Sequence, residues 1–302
     1  MGKGAHSYID DPRNADVKVW INGELFPRAE AKVSVLDSGF ILGDGVWEGL
    51  RVHDGRIAFL DRHLDRLEEG AKALDYDLGL TRDELTRALY DTLAANDMLA
   101  GDGVHIRLMT TRGLKATPYQ DPRVTISPAT IVILPEWKRP DPKVAETGLR
   151  LFTVHVRRGY PDVQDQKLNS HSKINCITAC IQATKAGADE ALMLDPHGFV
   201  ATCNSTHFFI VRKGEVWTST GDYCLDGVTR GVIIELCREA GIPVFEKNFS
   251  LTQVYSADEA FTTGTFAGLV PVTEIDGRRI SDQRGPMVER LQALYRQKLE
   301  AE

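Results

Sequence analysis

The sequence predicts an α+β chain of two successive domains, and three observations carry that prediction. Short glycine turns, Asn22-Gly23, Asp54-Gly55, Lys213-Gly214 and Asp276-Gly277, lie between apolar stretches in both halves. Such dipeptides between apolar runs are the strongest short signal for an antiparallel hairpin. Apolar residues at helical spacing stand between these turns. Near the middle, Pro135-Glu136-Trp137-Lys138-Arg139-Pro140-Asp141-Pro142 is polar and proline-rich, which suits a boundary. The expected division is a smaller N-terminal α+β domain (1–134), a linker (135–149) and a larger C-terminal α+β domain (150–302).

The elements follow in order. Residues 17–26 read as the first hairpin, turning at Asn22-Gly23. Leu64, Leu67, Ala71 and Leu74 share one face of a helix, and Thr81-Arg82-Asp83-Glu84 has capping-box spacing before Leu85, Leu89 and Leu93. Strands at 105–112 and 129–134 flank a loop, 113–128, with three prolines; its length marks it as a functional candidate. In the second half an extended run, Leu151-Phe152-Thr153-Val154-His155-Val156, passes through a polar stretch into a helix carrying Ile174, Ile177, Ile181 and Thr184. A helix over 228–240 is closed by Gly241, and a terminal helix carries Val288, Leu291, Leu294 and Tyr295.

The 302 residues are 42% hydrophobic and 26% charged, with a net charge of -7. An acidic balance argues against nucleic acid or anionic membrane as partner and favours a small molecule. The N-terminus lacks the apolar core of a leader, and no run approaches the ~20 apolar residues of a membrane helix, so a cytoplasmic protein is expected. Five cysteines, without a Cys-x-x-Cys, suggest buried free thiols rather than a disulfide framework or a metal site.

The polar stretch Gln166-Lys167-Leu168-Asn169-Ser170-His171-Ser172-Lys173 holds two lysines six residues apart. A desolvated lysine can form a Schiff base with a carbonyl. Two solvated surface lysines are the commoner arrangement for such a stretch taken alone.

Several separated pieces together resemble the fold-type IV family of pyridoxal-phosphate enzymes, which includes branched-chain and D-amino-acid aminotransferases, R-selective amine transaminases and aminodeoxychorismate lyase. They are Asp37-Ser38-Gly39-Phe40 with Gly43-Asp44-Gly45-Val46-Trp47-Glu48-Gly49; His63-Leu64-Asp65-Arg66-Leu67; Gly187-Ala188-Asp189-Glu190-Ala191 onward to Phe209; Gly227-Val228-Thr229-Arg230; and Thr263-Gly264-Thr265 with Pro271-Val272. The resemblance implies a two-domain fold-type IV architecture, the cofactor pyridoxal 5'-phosphate, transfer of an amino group from an amine or amino acid to a 2-keto acid, and a homodimer, the last on 43–49 and 101–113.

It also implies site residues. Arg66 would hold the phosphate, with an exposed arginine paired to Asp65 or Glu69 as the alternative; Val228, Thr229, Thr265 and Phe266 would complete the cup. In a gap-free alignment the family's Schiff-base lysine falls on Asn169 and its ring-nitrogen glutamate on Thr202. A neutral hydroxyl can only hydrogen-bond that nitrogen, so the ring would be a weaker electron sink. Lys173, one helical turn beyond Asn169, is then the favoured lysine and Lys167 the alternative, with no covalent attachment as a third reading. Leu42, Trp47, Gly49 and Arg107 match substrate-pocket positions, the last a carboxylate-side arginine of branched-chain enzymes.

Overall fold

The computed structural model describes residues 4–100 and 103–302. Met1, Gly2 and Lys3 of the N-terminus, and Gly101 at the start of one stretch behind the dimer expectation, lie outside them. The chain forms two compact units, one built from 10–139 with 168–172, the other from the residues before Asp10 with 140–167 and 173–301.

The first unit contains β1 (Lys18–Ile21), β2 (Glu24–Pro27), α1 (Ser38–Leu42), β3 (Gly45–His53), β4 (Arg56–Ile57), α2 (Leu60–Ala73), α3 (Arg82–Ala94), β5 (Val104–Thr111) and β6 (Thr130–Trp137). Its strands form one antiparallel sheet in the order β2-β1-β6-β5-β3-β4. Asn22 and Gly23 take φ of 47° and 103°, as a two-residue hairpin turn requires. The capping box at Thr81 and Glu84 is formed. Helices α2 and α3 bury Leu64, Leu67, Ala71, Leu85, Leu89 and Leu93 in one core with Leu50, Ile106, Leu108 and Ile133 of the sheet. Strand alternation leaves Trp47, Gly49, His105 and Arg107 half-buried, opposite in parity to those core residues.

Residues 135–149, expected as a linker, hold ordered elements. Pro135, Glu136 and Trp137 finish β6, paired with Ile106, His105 and Val104; α4 (Pro142–Thr147) and the start of β7 (Leu149–Thr153) follow. The ladder of β1 on the other flank of β6 stops at Ile133, so the ring of Pro135 interrupts no pairing there.

A further short segment completes the first unit's sheet from the second half of the sequence. Ser170 bridges Val46, Trp47 N–H donates to Asn169 O at 3.0 Å, and His171 N–H donates to Gly45 O at 3.0 Å. The segment thus occupies the flank of β3 ahead of the point where β4 begins.

The second unit adds α5 (Ile174–Lys185), β8 (Glu190–Leu194), β9 (Val200–Cys203), β10 (His207–Arg212), β11 (Glu215–Thr218), α6 (Val228–Glu239), β12 (Val244–Glu246), α7 (Leu251–Tyr255), β13 (Glu259–Gly264), β14 (Gly268–Ile275), β15 (Arg278–Arg279) and α8 (Pro286–Ala301). The mixed sheet runs β9-β8-β7-β14-β13-β10-β11-β12, with β15 on β14. Strand β7 stops at Thr153, three residues short of the expected run. Helix α5 forms where its spacing predicts, but Ala179 and Ala183 face inward while Ile174, Ile177 and Ile181 are 71%, 51% and 49% exposed. Of the five free thiols, Cys203, Cys224 and Cys237 are buried and Cys176 and Cys180 half-buried.

Candidate active site

In the first unit the site residues gather around Glu48. Its parity along β3, with Val46, Leu50 and Val52, turns the carboxylate inward, where it is fully buried. Residues 63 and 66 lie on one face of α2. Arg66 donates from Nε and Nη2 to the two oxygens of Glu48 at 2.8 and 2.6 Å, and His63 Nδ1 is 2.7 Å from Oε2. Burial pushes the Glu48 carboxyl up, but the Arg66 charge and the His63 and Arg66 hydrogen bonds outweigh it and hold it below the usual carboxylate range. Arg66 is therefore paired with Glu48, not with Asp65 or Glu69.

Three of the expected substrate residues come together. Gly49 pairs with Arg107 across the β3–β5 ladder, and the Arg107 guanidinium sits 3.6 Å over the Trp47 ring. Burial pushes its pKa down, and among the described residues no side chain or carbonyl accepts a hydrogen bond from it. Leu42, the fourth, closes α1 with 36% exposure.

Asn169 has a backbone role. Its Nδ2 donates to Trp47 O at 2.5 Å, while Trp47 Nε1 donates to Ser170 O at 3.1 Å. The amide holds the strand that carries the Trp47 indole.

In the second unit the organising feature is the start of α6. Gly227 is its N-cap, in extended conformation and without a side-chain cap, so first-turn N–H groups lack the acceptor a cap residue supplies. Val228 and Thr229 are buried there. Lys167 Nζ lies 2.5 Å from Oδ1 of Asp226, the residue before Gly227, whereas Lys173 is the residue that precedes α5 and gives no side-chain cap. Thr265 stands half-buried in the β13–β14 turn; the neighbouring Phe266 is buried and stacks on His6, centroids 6.0 Å apart.

Thr202 is buried on β9 and donates from Oγ1 to Thr206 O at 2.9 Å. Thr206 in turn donates from Oγ1 to Glu190 Oε2 at 2.7 Å, and Ala5 N–H donates to Oε1 at 3.3 Å. Burial pushes the Glu190 carboxyl up to about 7. Neither Glu48 nor Glu190 stands out in the sequence as a site residue. Strand parity could have found the first, since an acid occupies an inward position between valine and leucine.

The pattern of the class IV amino-transferases matches residues 45–275. The chain belongs to the class IV aminotransferase family. Over 286 residues it is 42% identical to the branched-chain-amino-acid aminotransferase-like protein 2 of Arabidopsis thaliana, covering 94% of this chain and 51% of that protein. It thus spans about half the length of that relative. It is 32% identical to the branched-chain-amino-acid aminotransferase of Pseudomonas aeruginosa, covering 93% and 92%. Among solved structures, the branched-chain aminotransferase of Thermoproteus uzoniensis with norvaline superposes with a TM-score of 0.84 at 32% identity, over 95% of this chain and 96% of that one. The branched-chain amino acid aminotransferase of Thermobaculum terrenum in its PLP form gives a TM-score of 0.83 at 27% identity over 95% of both chains. The α+β architecture of this member of the class IV family is that of fold type IV.

Proposed function

We propose that this class IV aminotransferase uses pyridoxal 5'-phosphate to move an amino group between an amine or an amino acid with an apolar side chain and a 2-keto acid, and that Lys167 is the lysine that attaches to the cofactor. One observation carries the second statement: Lys167 Nζ is held 2.5 Å from Asp226, at the uncapped start of α6, while Lys173 is the residue that precedes α5. A helix N-terminus of this kind receives a phosphate readily, and the wholly buried Thr263 hydroxyl, which has no hydrogen-bond partner among the described residues, adds a donor. These residues fit the cofactor's phosphate.

When bound, the cofactor would supply an aldehyde carbon that takes the amino group and an electron-withdrawing ring that holds the electron pair left at the substrate carbon. Lys167 Nζ anchors it and moves the proton at the substrate carbon. Thr202, its own proton committed to Thr206 O, offers a lone pair for a ring nitrogen. Arg66, oriented by Glu48, is assigned a phosphate contact on the resemblance alone. Arg107, stacked on Trp47 without a hydrogen-bond acceptor among the described residues, suits a substrate carboxylate; Trp47 and Gly49, with Leu42, favour an apolar side chain. A cytoplasmic homodimer belongs to the same reading, supported by five free thiols and the exposed isoleucines of α5.

The test is borohydride reduction of the protein loaded with pyridoxal 5'-phosphate, followed by peptide mass mapping. Label on Lys167 in the parent, lost in Lys167→Ala and kept in Lys173→Ala, is expected together with amine transfer. Label that disappears only in Lys173→Ala returns the role to Lys173. Labelling without amine transfer favours a lyase of the same fold, and neither activity a binding protein.

A further inference from the structure

Residues 4–9 lie along the second unit. Ala5 is buried in the same core as Leu192 and Val200, its N–H donates to Glu190 Oε1 at 3.3 Å, the His6 ring stacks on Phe266, and Asp141 N–H donates to Ser7 O at 3.1 Å. Gly4 has a φ of 102°, and a Cβ there would lie 3.0 Å from Asp189 O and 3.6 Å from Glu190 Cγ. The segment is thus pressed against Glu190, which is 3% exposed.

The space left between them is small. An enclosed cavity lined by Ala5, His6, Thr206, Thr262 and Phe266, among others, has a volume of about 10 Å³, room for about one water. A carboxylate formed under the closed segment therefore gathers no hydration shell, and lifting residues 4–9 supplies one.

Burial, with a smaller push from the charge of Asp189, outweighs the hydrogen bonds from Thr206, Ala5 and Ser205 and pushes the Glu190 carboxyl up to about 7. From β9 the Cys203 thiol faces it, itself held well above its ordinary value by burial and by the Glu190 charge; from the segment, His6 stands in the cavity. An exposed glutamate titrates near 4.5. Between these values the closed form keeps a proton that the lifted form releases, so rising pH favours lifting.

We propose that residues 4–9 are a pH-operated strap, closed over Glu190 in acid and lifted more often in mild alkali, and that lifting takes His6 off Phe266 and loosens the β13–β14 turn. The strap is a property of the chain by itself and holds whatever the chain's substrate.

The experiment is hydrogen exchange of the full chain at pH 5 and pH 8, read by mass spectrometry on peptides that hold Ala5 and on peptides from β10. Each rate is divided by that of an unstructured peptide of the same sequence. Ala5 should exchange far faster than β10 at both pH values, as local lifting requires. Its protection should fall about 70-fold from pH 5 to pH 8 in the parent, and less than about threefold in Glu190→Gln, where no proton is released. His6 is common to both chains, so its own titration cancels in the comparison. Gly4→Ala, strained at that φ and crowded by Asp189 O, should lower protection at both pH values and keep the ratio between them, a result that does not depend on the glutamine variant folding. An Ala5 amide that exchanges only as fast as β10, protection independent of pH in the parent, or an equal fall in parent and Glu190→Gln would overturn the proposal.

Discussion

Replacing Glu190 by glutamine should remove much of the pH dependence of stability. The carboxyl is buried, accepts from Thr206 Oγ1 and Ala5 N–H, and has its pKa pushed from 4.5 up to about 7, because burial outweighs its hydrogen bonds. The folded chain therefore keeps a proton that the unfolded chain releases. Stability from this group is full below about pH 4.5, falls as pH rises, and levels off above about pH 7. At about 1.36 kcal/mol per unit, the total loss is roughly 3 kcal/mol. Urea midpoints of the parent and Glu190→Gln, measured at about pH 5, 6, 7 and 8, isolate the group, because other titrations cancel in the difference. The variant should gain on the parent by roughly 2 to 3 kcal/mol between the ends of that range. A difference that stays constant with pH would refute the assignment of a buried, proton-holding Glu190.

Arg66→Ala should weaken pyridoxal 5'-phosphate in equilibrium titration, and should also cost about 3–5 kcal/mol in urea unfolding because Glu48 is left buried without its counter-charge; adding Glu48→Gln should recover part of the stability and none of the affinity. Asn169→Ala should destabilise by about 1–3 kcal/mol, the range for an unsatisfied buried carbonyl at Trp47, yet keep the borohydride label on Lys167; loss of the label with a native melting curve would place Asn169 in the chemistry. Light scattering of the purified chain should give twice the monomer mass, and a monomer at micromolar concentration that still turns over substrate would remove the dimer.

The parts legible in the sequence are those whose partners lie a few residues away. Asn22-Gly23 needs only its own left-handed dihedrals, and the Thr81–Glu84 box closes within one turn. The start of α6 is equally local, since a glycine before Val228 leaves the helix uncapped wherever the chain puts it. What stays hidden depends on distant pairing. Arg66 reads as a surface arginine until β3 brings Glu48 beside it. The proline-rich run at 135–142 reads as a break, because nothing nearby shows that the pairing of β1 along β6 stops at Ile133 and leaves Pro135 an unpaired flank. The surroundings of Asn169 and Lys167 are obscured for the same reason: an alignment without gaps takes no account of a strand that folds onto β3 and uses the Asn169 amide in doing so.

That strand has a consequence for anyone who would dissect the molecule. A gene cut at the junction of 139 and 140 would give an N-terminal fragment lacking 168–172, with the main-chain groups of Gly45 and Trp47 facing water along an open flank. The complementary fragment would carry a foreign strand between Lys167 and Lys173 and would lack the residues before Asp10, including Ala5, whose N–H reaches Glu190. Two autonomous pieces are not obtained by one cut. A fragment pair that regains the native fold has to be tried by mixing, with the five-residue strand acting as the tie that only the reunited halves can form.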